Sequence, residues 1–157
     1  MPLKLIELFP DALRDLQAQD KKSAIKEMVQ HLVSAGRLAA DAEKKAERAI
    51  NKREGQGSTA IGKGLAIPHA KNCAFLDEVI GVFARSPEGL PFDSVDGGLV
   101  HVIFLVLSPK NREDQHLAVM KRIAKLLFDE KTLNYLARDE TLSSLEGIFN
   151  EVDESVS

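Results

Sequence analysis

Residues 64–70 contain the side chains of this chain best suited to chemistry, because one histidine, His69, stands there among small and apolar residues. Pro68 precedes the histidine and fixes one backbone dihedral, which stiffens the approach to the ring. Burial among Ala66 and Ile67 disfavours an imidazolium, so we expect the ring to be neutral near pH 7. A neutral imidazole on a stiff backbone is suited to act as a nucleophile.

The glycine-rich stretch before His69 imitates two nucleotide-binding motifs. Residues 57–64 match a phosphate-binding loop through Lys63, but glycine at position 64 stands where Ser or Thr should hold magnesium. Residues 55–60 imitate a dinucleotide fingerprint. Both motifs need a preceding strand, whereas a helical pattern precedes this stretch. We therefore interpret it as a turn-rich loop rather than a nucleotide site.

A zinc site formed by His69, Cys73 and His116 is a further alternative. A histidine followed by a cysteine four positions later is a weak ligand pattern, so we expect no metal here. Cys73 is the only cysteine in the sequence, which excludes an internal disulfide and favours the cytoplasm. We expect its thiol to be a small buried hydrophobe. We expect His31 and His101 to be structural.

Length and composition predict one domain that binds neither nucleic acid nor membrane. The chain has 157 residues, within the usual range of about 100–200 for a domain. Its net charge is −3, from 21 basic and 24 acidic residues, so it offers no overall attraction for polyanions. The first seven residues do not resemble a signal peptide. The apolar run at 102–107 is far shorter than the roughly 20 residues of a membrane span.

The first half of the chain predicts two helices and a loop. Asp20 is placed to cap a helix that ends near residue 35. Asp41 is placed to cap a second helix that ends near residue 52, so that Arg53 emerges at its inner edge. Residues 55–69 break the helical periodicity and predict a loop with short extended pieces.

The second half predicts strands followed by helices. Residues 79–85 predict a strand, and 87–98 a turn-rich connection. The run Val100–Leu107 is apolar on both faces apart from His101, which indicates a central strand covered by helices on both sides. Asn111 is placed to cap a helix reaching about residue 128, with His116 on its inner face. A last helix is predicted at about 140–149.

This alternation of helices and strands predicts an α/β fold with a mixed β-sheet and helices on both faces. The predicted domain covers residues 1–150, and an acidic tail follows at 151–157. We expect residues 150–157 to be frayed.

Several short motifs have to be considered together. They are Arg53-Glu54, Gly57-Ser58-Thr59, Gly62-x-Gly64-Leu65-Ala66-Ile67-Pro68-His69, and His116-Leu117 at the start of a helix. In type and spacing they resemble one family, the enzyme IIA domain of the bacterial phosphoenolpyruvate-dependent phosphotransferase system. Within that family, the motifs resemble the fructose/mannitol class of IIA domains, which includes the nitrogen-regulatory branch. This sequence has Ala60 where the family often has glycine, and Leu65 where it has isoleucine.

The resemblance implies a role for each matching residue. His69 matches the histidine that accepts a phosphoryl group from the phosphocarrier protein HPr, and His116 matches a second histidine beside it. Arg53 matches the arginine that helps to hold the phosphoryl oxygens. The loop residues that the resemblance assigns to phosphoryl binding or support are Ser58, Thr59 and Gly64. Lys63 and Lys71 flank the site, either to steer an acidic partner or as solvated loop charges.

The implied activity is that of a phosphohistidine carrier in the cytoplasm. The protein would pass phosphate from His69 to a separate IIB protein, or use it as a regulatory signal. The alternative is a purely regulatory module whose affinity for target proteins is switched by phosphorylation of His69. Neither activity requires a cofactor, because the phosphoryl group arrives already activated on a donor histidine.

Overall fold

The computed structural model describes residues 3–10, 12–138 and 145–155. The helices are α1 (Leu5–Leu8), α2 (Lys21–Ser34), α3 (Glu43–Glu54), α4 (Glu113–Ala124), α5 (Glu130–Arg138) and α6 (Leu145–Ser155). The strands are β1 (Ala12–Leu13), β2 (Ala60–Gly62), β3 (Leu65–Ala66), β4 (His69–Ala70), β5 (Ile80–Leu90) and β6 (Val100–Leu107). Short 3₁₀ helices at Ala40–Ala42 and Lys125–Phe128 precede α3 and follow α4.

The strands form one mixed sheet with the order β1-β5-β6-β3-β2, and β4 also pairs with β6. β6 runs antiparallel to β5 and parallel to both β3 and β4. The strand predicted at Val100–Leu107 is therefore confirmed, both in its bounds and in its central position. The open mixed sheet confirms the predicted fold class.

Helices cover both faces of the sheet, and each face has its own hydrophobic core. Ile103, Leu105 and Leu107 point from β6 toward α2 and α3. The alternate residues Val102, Phe104 and Val106 belong to the core formed with α1, α4, α5 and α6. Because successive side chains of a strand point to opposite faces, a strand buried on both sides has to be apolar throughout.

The segment that carries His69 is held in register along β6. Leu65 pairs with Val102, and four residues later His69 pairs with Val106, so β3 and β4 follow one line along the central strand. Between them, the carbonyl of Pro68 accepts a hydrogen bond from the Val106 amide at 3.0 Å. His69 therefore sits at the carboxyl end of β6 on a backbone that is bonded on both sides of it.

The predicted helix after Asp20 is confirmed, and two other predicted caps are wrong. Asp20 accepts a hydrogen bond from the Ser23 amide at the start of α2. Asp41 instead lies inside the 3₁₀ helix that precedes α3. Asn111 has φ +66°, which is incompatible with the extended backbone of an N-cap, and α4 begins at Glu113.

The predicted end of β5 at residue 85 is also wrong, because the strand continues to Leu90. Its pairing with β6 shifts register between Arg85 and Leu90, and this irregular stretch contains Pro87. A proline has no amide hydrogen for the ladder, so it is tolerated where the pairing is interrupted.

The C-terminal part differs most from the prediction. The sequence did not indicate α5, and residues 140–144 of the predicted last helix lie outside the described residues. The expectation of fraying is wrong for residues 150–155, which belong to α6. Val152 packs into a core, and Asp153 accepts hydrogen bonds from Arg122 at 2.6 Å and from the Leu5 amide at 2.9 Å.

Candidate functional site

An open cavity of about 760 Å³ lies at the carboxyl end of β4, and His69, His116 and Arg53 all line it. Lys52 and Lys71 also line the cavity, and none of the described residues around it is a carboxylate. Three cationic side chains and two histidines line the cavity, and this excess of positive charge at its surface favours an anionic occupant. The structure thus brings together the three residues that the sequence placed at the centre of the site.

The His69 ring is held through one of its two nitrogens. Its Nδ1 lies 2.7 Å from the carbonyl oxygen of Ile67. A carbonyl only accepts hydrogen bonds, so Nδ1 carries the hydrogen and Nε2 keeps its lone pair. Partial burial lowers the pKa of His69. The charges of Arg53 and Lys71 act in the same direction, whereas the Ile67 carbonyl and the Glu54 carboxylate oppose it. The ring is therefore a neutral base at pH 7, with Nε2 as its nucleophilic atom.

His116 lies in the first turn of α4, with its ring centroid 5.4 Å from that of His69. Its side chain is buried, and its Nδ1 lies 2.6 Å from the hydroxyl oxygen of Ser108. Burial first, and then the charges of His69 and Lys71, lower the pKa of His116 to about 4. This ring is also neutral at pH 7.

Arg53 is in the last turn of α3, where a cation is favoured by the helix dipole. Its Nη1 donates a hydrogen bond to the carbonyl of Gly57 at 2.8 Å. This bond ties the guanidinium to the loop that follows the helix. Within the described residues, the other guanidinium donors have no hydrogen-bond partner. A guanidinium presents its donors in a planar fork that fits a phosphoryl group.

Three residues assigned to phosphoryl binding or support do not line this cavity. The Ser58 hydroxyl donates to the carbonyl of Phe92 at 2.6 Å. The Thr59 hydroxyl donates to the carboxylate of Glu54. Gly64 has φ +79° and lines a different cavity with His101. These residues shape the loop rather than face the two imidazoles.

The sequence assigned no role to Glu54 and did not indicate that it binds Thr59 and Lys21. Glu54 is buried, accepts a second hydrogen bond from the Thr59 amide at 3.2 Å, and lies 2.8 Å from Lys21 Nζ. A buried carboxylate is stable only when it is paired and hydrogen-bonded in this way. The network joins the end of α3 to the loop and so fixes the position of the neighbouring Arg53.

Ser108 and Lys52 are the other site residues that were missed. Ser108 directly follows β6 and stands eight residues before His116, a separation that carries no recognisable motif. Lys52 directly precedes Arg53 in the last turn of α3. This adjacency in the sequence could have indicated a second cation at the same end of the helix.

Other sequence expectations fall outside the cavity. Lys63 does not flank the site, because its Nζ donates to the carbonyl of Leu127 at 2.8 Å. The His101 ring is bonded to the carbonyl of Ser86 at 3.0 Å. Cys73 is buried, as expected for a small hydrophobe, and burial raises the pKa of its thiol. Ala60 does not adopt a positive φ, so it needs no glycine.

The described residues contain no group of three or more side chains placed to hold a metal ion. In the same part of the chain, no helix has both the length and the apolar character needed to cross a bilayer.

Comparison with known proteins decides the family. Residues 11–152 match the family described as "Phosphoenolpyruvate-dependent sugar phosphotransferase system, EIIA 2". The chain belongs to this family. This match confirms the resemblance that was based on the His69 and Arg53 motifs. Members of the family take part in phosphoryl transfer within the phosphotransferase system.

Relatives of this IIA chain include both transport and regulatory proteins. A nitrogen regulatory protein of Bradyrhizobium diazoefficiens is 37% identical over 77% of each chain. A fructose-specific EIIA component of Haloferax volcanii is 31% identical over 98% of this chain and 94% of its own. The fructose-specific EIIABC component of Bacillus subtilis is 33% identical over 88% of this chain, which spans 21% of that protein's length.

Solved structures agree with the IIA fold. The nitrogen regulatory protein IIA-Ntr of Neisseria meningitidis superimposes with a TM-score of 0.74 at 28% identity, covering 88% of this chain and 91% of that one. The mannitol IIA of Escherichia coli gives a TM-score of 0.71 at 21% identity, covering 87% and 95%.

Proposed function

We propose that this protein is a phosphohistidine carrier, which takes a phosphoryl group on His69 Nε2 and passes it to a second protein. The observation that carries the proposal is the arrangement of His69. Its Nδ1 is bonded to the Ile67 carbonyl, so the lone pair lies on Nε2, at a cavity that no carboxylate of the described residues lines. Family membership supports the same reaction class.

The transfer step requires little covalent chemistry from the protein. His69 Nε2 attacks the phosphorus of a donor phosphohistidine as the Nε2–P bond forms. The N–P bond of the donor breaks in line with it, and the donor nitrogen leaves with the electron pair. No proton has to move, and the imidazole becomes cationic as it gains the phosphoryl group. The Ile67 carbonyl, which accepts from Nδ1–H, stabilises that positive charge.

The cavity then stabilises the negative oxygens. Arg53 presents guanidinium donors, and its bond to Gly57 holds it in place before the donor arrives. Lys52 and Lys71 add positive charge around the same space. The phosphoryl oxygens carry negative charge throughout the transfer. Cations already held in position lower the free energy of phosphorylated His69, because no side chain has to move to reach them.

An HPr-type phosphocarrier is the proposed donor, and a IIB protein or domain is the proposed acceptor. The Haloferax relative, described as a fructose-specific EIIA component over nearly its whole length, supports a role in sugar transport. Both partners would meet the protein in the cytoplasm. Exposed Leu117 borders the cavity beside His116 and offers a partner an apolar contact.

The test is to incubate the protein with phosphoenolpyruvate, the first enzyme of the system and HPr. Wild type is expected to gain one acid-labile phosphate, and His69→Ala is expected to gain none. His31→Gln is the matched control, since His31 lies on α2 and does not line the cavity. Equal labelling of wild type and His69→Ala would refute the proposal.

A regulatory output is the second candidate, favoured by the relative described as a nitrogen regulatory protein. Phosphorylation adds about −1.5 to −2 charges to a cavity that otherwise carries positive charge. A target protein would then sense the change of sign at this surface. Pull-downs with phosphorylated and unmodified protein test this output, because a switch requires at least one partner to prefer one form. Equal retention of every partner by the two forms would exclude it.

A further inference from the structure

The Nδ1 atoms of His69 and His116 have hydrogen-bond partners of different kinds. His69 Nδ1 faces a carbonyl oxygen, which has no hydrogen to give. His116 Nδ1 faces the hydroxyl of Ser108, which is able to donate or accept. The tautomer of His69 is therefore fixed by the backbone, whereas that of His116 depends on which way the Ser108 hydroxyl points.

The surroundings of Ser108 determine that direction. Ser108 is only 1% exposed. Within the described residues, its hydroxyl has no hydrogen-bond partner other than His116 Nδ1. If the imidazole donated, the hydroxyl hydrogen would be buried without an acceptor, which is costly. The hydroxyl therefore donates to Nδ1, and the hydrogen of the neutral ring resides on Nε2.

The backbone of Ser108 links this ring to the strand of His69. Its amide donates to the carbonyl of Ala70 at 3.0 Å, and its carbonyl accepts from the Cys73 amide at 2.9 Å. Ala70 is the residue that follows His69 in β4. One residue thus holds the nucleophile's strand through its main chain and the second imidazole through its side chain.

We propose that Ser108 is a positioning residue that fixes His116 as the Nε2–H tautomer, opposite to the tautomer of His69. The two rings then have complementary roles. His69 offers a lone pair to phosphorus, and His116 offers an N–H to a phosphoryl oxygen. This use of the N–H rests on the proposed function, whereas the tautomer itself does not. With the reverse tautomer, His116 would turn a lone pair toward the phosphoryl oxygens and repel them.

The first readout is spectroscopic and involves no phosphate. Long-range ¹H–¹⁵N spectra of the imidazoles separate protonated from unprotonated ring nitrogens. In wild type at pH 7, we expect His116 to carry its hydrogen on Nε2 and His69 to carry its hydrogen on Nδ1. Ser108→Ala should shift His116 toward a mixture of tautomers, and Ser108→Thr, which keeps a hydroxyl, should restore the wild-type pattern. Backbone amide spectra of each variant report whether it is folded.

The second readout is the initial rate at which His69 is phosphorylated. Ser108→Ala should lower the rate at saturating donor about 10- to 100-fold, with little change in the donor concentration for half-saturation. Ser108→Thr should recover most of the rate. A structural defect alone would not be rescued by a hydroxyl and would not alter the tautomer.

The outcomes separate the two claims. Wild-type spectra with the His116 hydrogen on Nδ1, or an unchanged tautomer in Ser108→Ala, would overturn the assignment of Ser108. An altered tautomer with an unchanged phosphorylation rate would overturn its role in transfer. A wild-type protein that accepts no phosphate would refute the proposed function alone, since the spectra would still decide the tautomer.

Discussion

His69 and His116 face each other with ring centroids 5.4 Å apart and ring planes inclined at 51°. Two imidazolium ions at this separation would repel each other, and burial adds to the cost of charging either ring. Both rings are therefore neutral at the pH at which the protein would work. In the proposed function, this shared neutrality allows His69 to act as the nucleophile and His116 to donate a hydrogen bond.

We predict that His116 titrates far below a free histidine. Its pKa is about 4, against an ordinary value of 6.5, because of burial first and the charge of His69 second. Imidazole carbon shifts followed by NMR should show this low midpoint. Substituting His69→Gln should raise the midpoint, since it removes one positive neighbour while His116 stays buried. A wild-type midpoint near 6.5 would contradict the prediction.

The same pKa predicts a loss of stability in acid. The unfolded chain binds a proton to this histidine near pH 6.5, whereas the folded chain does so only near pH 4. Falling pH between these values therefore favours the unfolded state, by about 3 kcal/mol in total. Denaturant unfolding of wild type and His116→Gln at pH 7 and pH 4 isolates this contribution from that of the carboxylates. Equal acid sensitivity in both proteins would be evidence against it.

Replacing Arg53→Lys should slow phosphoryl acceptance by about a hundredfold without unfolding the protein. Lysine keeps the charge but lacks the planar fork, so it cannot hold the Gly57 carbonyl and two phosphoryl oxygens together. Initial rates of phosphorylation measure the effect. Arg48→Lys is the control on the same helix, because Arg48 is exposed and does not line the cavity. Equal rates for the two variants would show that positive charge is sufficient.

Thr59→Val should destabilise the protein by about 2 kcal/mol, because it removes a hydroxyl donor from the buried Glu54 carboxylate. Thr59→Ser should recover most of this loss. Urea unfolding provides the free energies of unfolding. The phosphorylation rate of the folded Val variant should stay close to that of wild type, since Thr59 does not line the cavity. A large rate loss at unchanged stability would instead place its hydroxyl against the phosphoryl group.

The sequence predicted a helix or strand best where a local pattern, such as an apolar run or a helix cap, is sufficient to determine it. β6 was predicted with correct bounds because eight consecutive positions are almost all apolar, which few structures other than a central strand tolerate. α2 was predicted because Asp20 is an effective cap ahead of a helical stripe. His69, His116 and Arg53 were assigned to one site by the resemblance of their motifs to those of the IIA family, and the cavity brings them together.

The remaining features depend on tertiary contacts that local patterns do not contain. Acidic α6 is ordered by the burial of Val152 and by the pairing of Asp153 with Arg122. The Ser58 hydroxyl donates to the carbonyl of Phe92, a residue 34 positions away that no local pattern links to it. The contact between Ser108 and His116 depends on the position of the end of β6 relative to the start of α4. The pattern of apolar residues in the sequence does not determine that position.

The most direct test of the central claim is to locate the phosphoryl group on the atom that carries it. The ¹⁵N-labelled protein is phosphorylated through HPr, and phosphorus–nitrogen couplings are read from the histidine spectra. The predicted result is a single phosphohistidine at position 69 with phosphorus bonded to Nε2. Phosphorus on Nδ1 of His69, or on His116, would contradict the account.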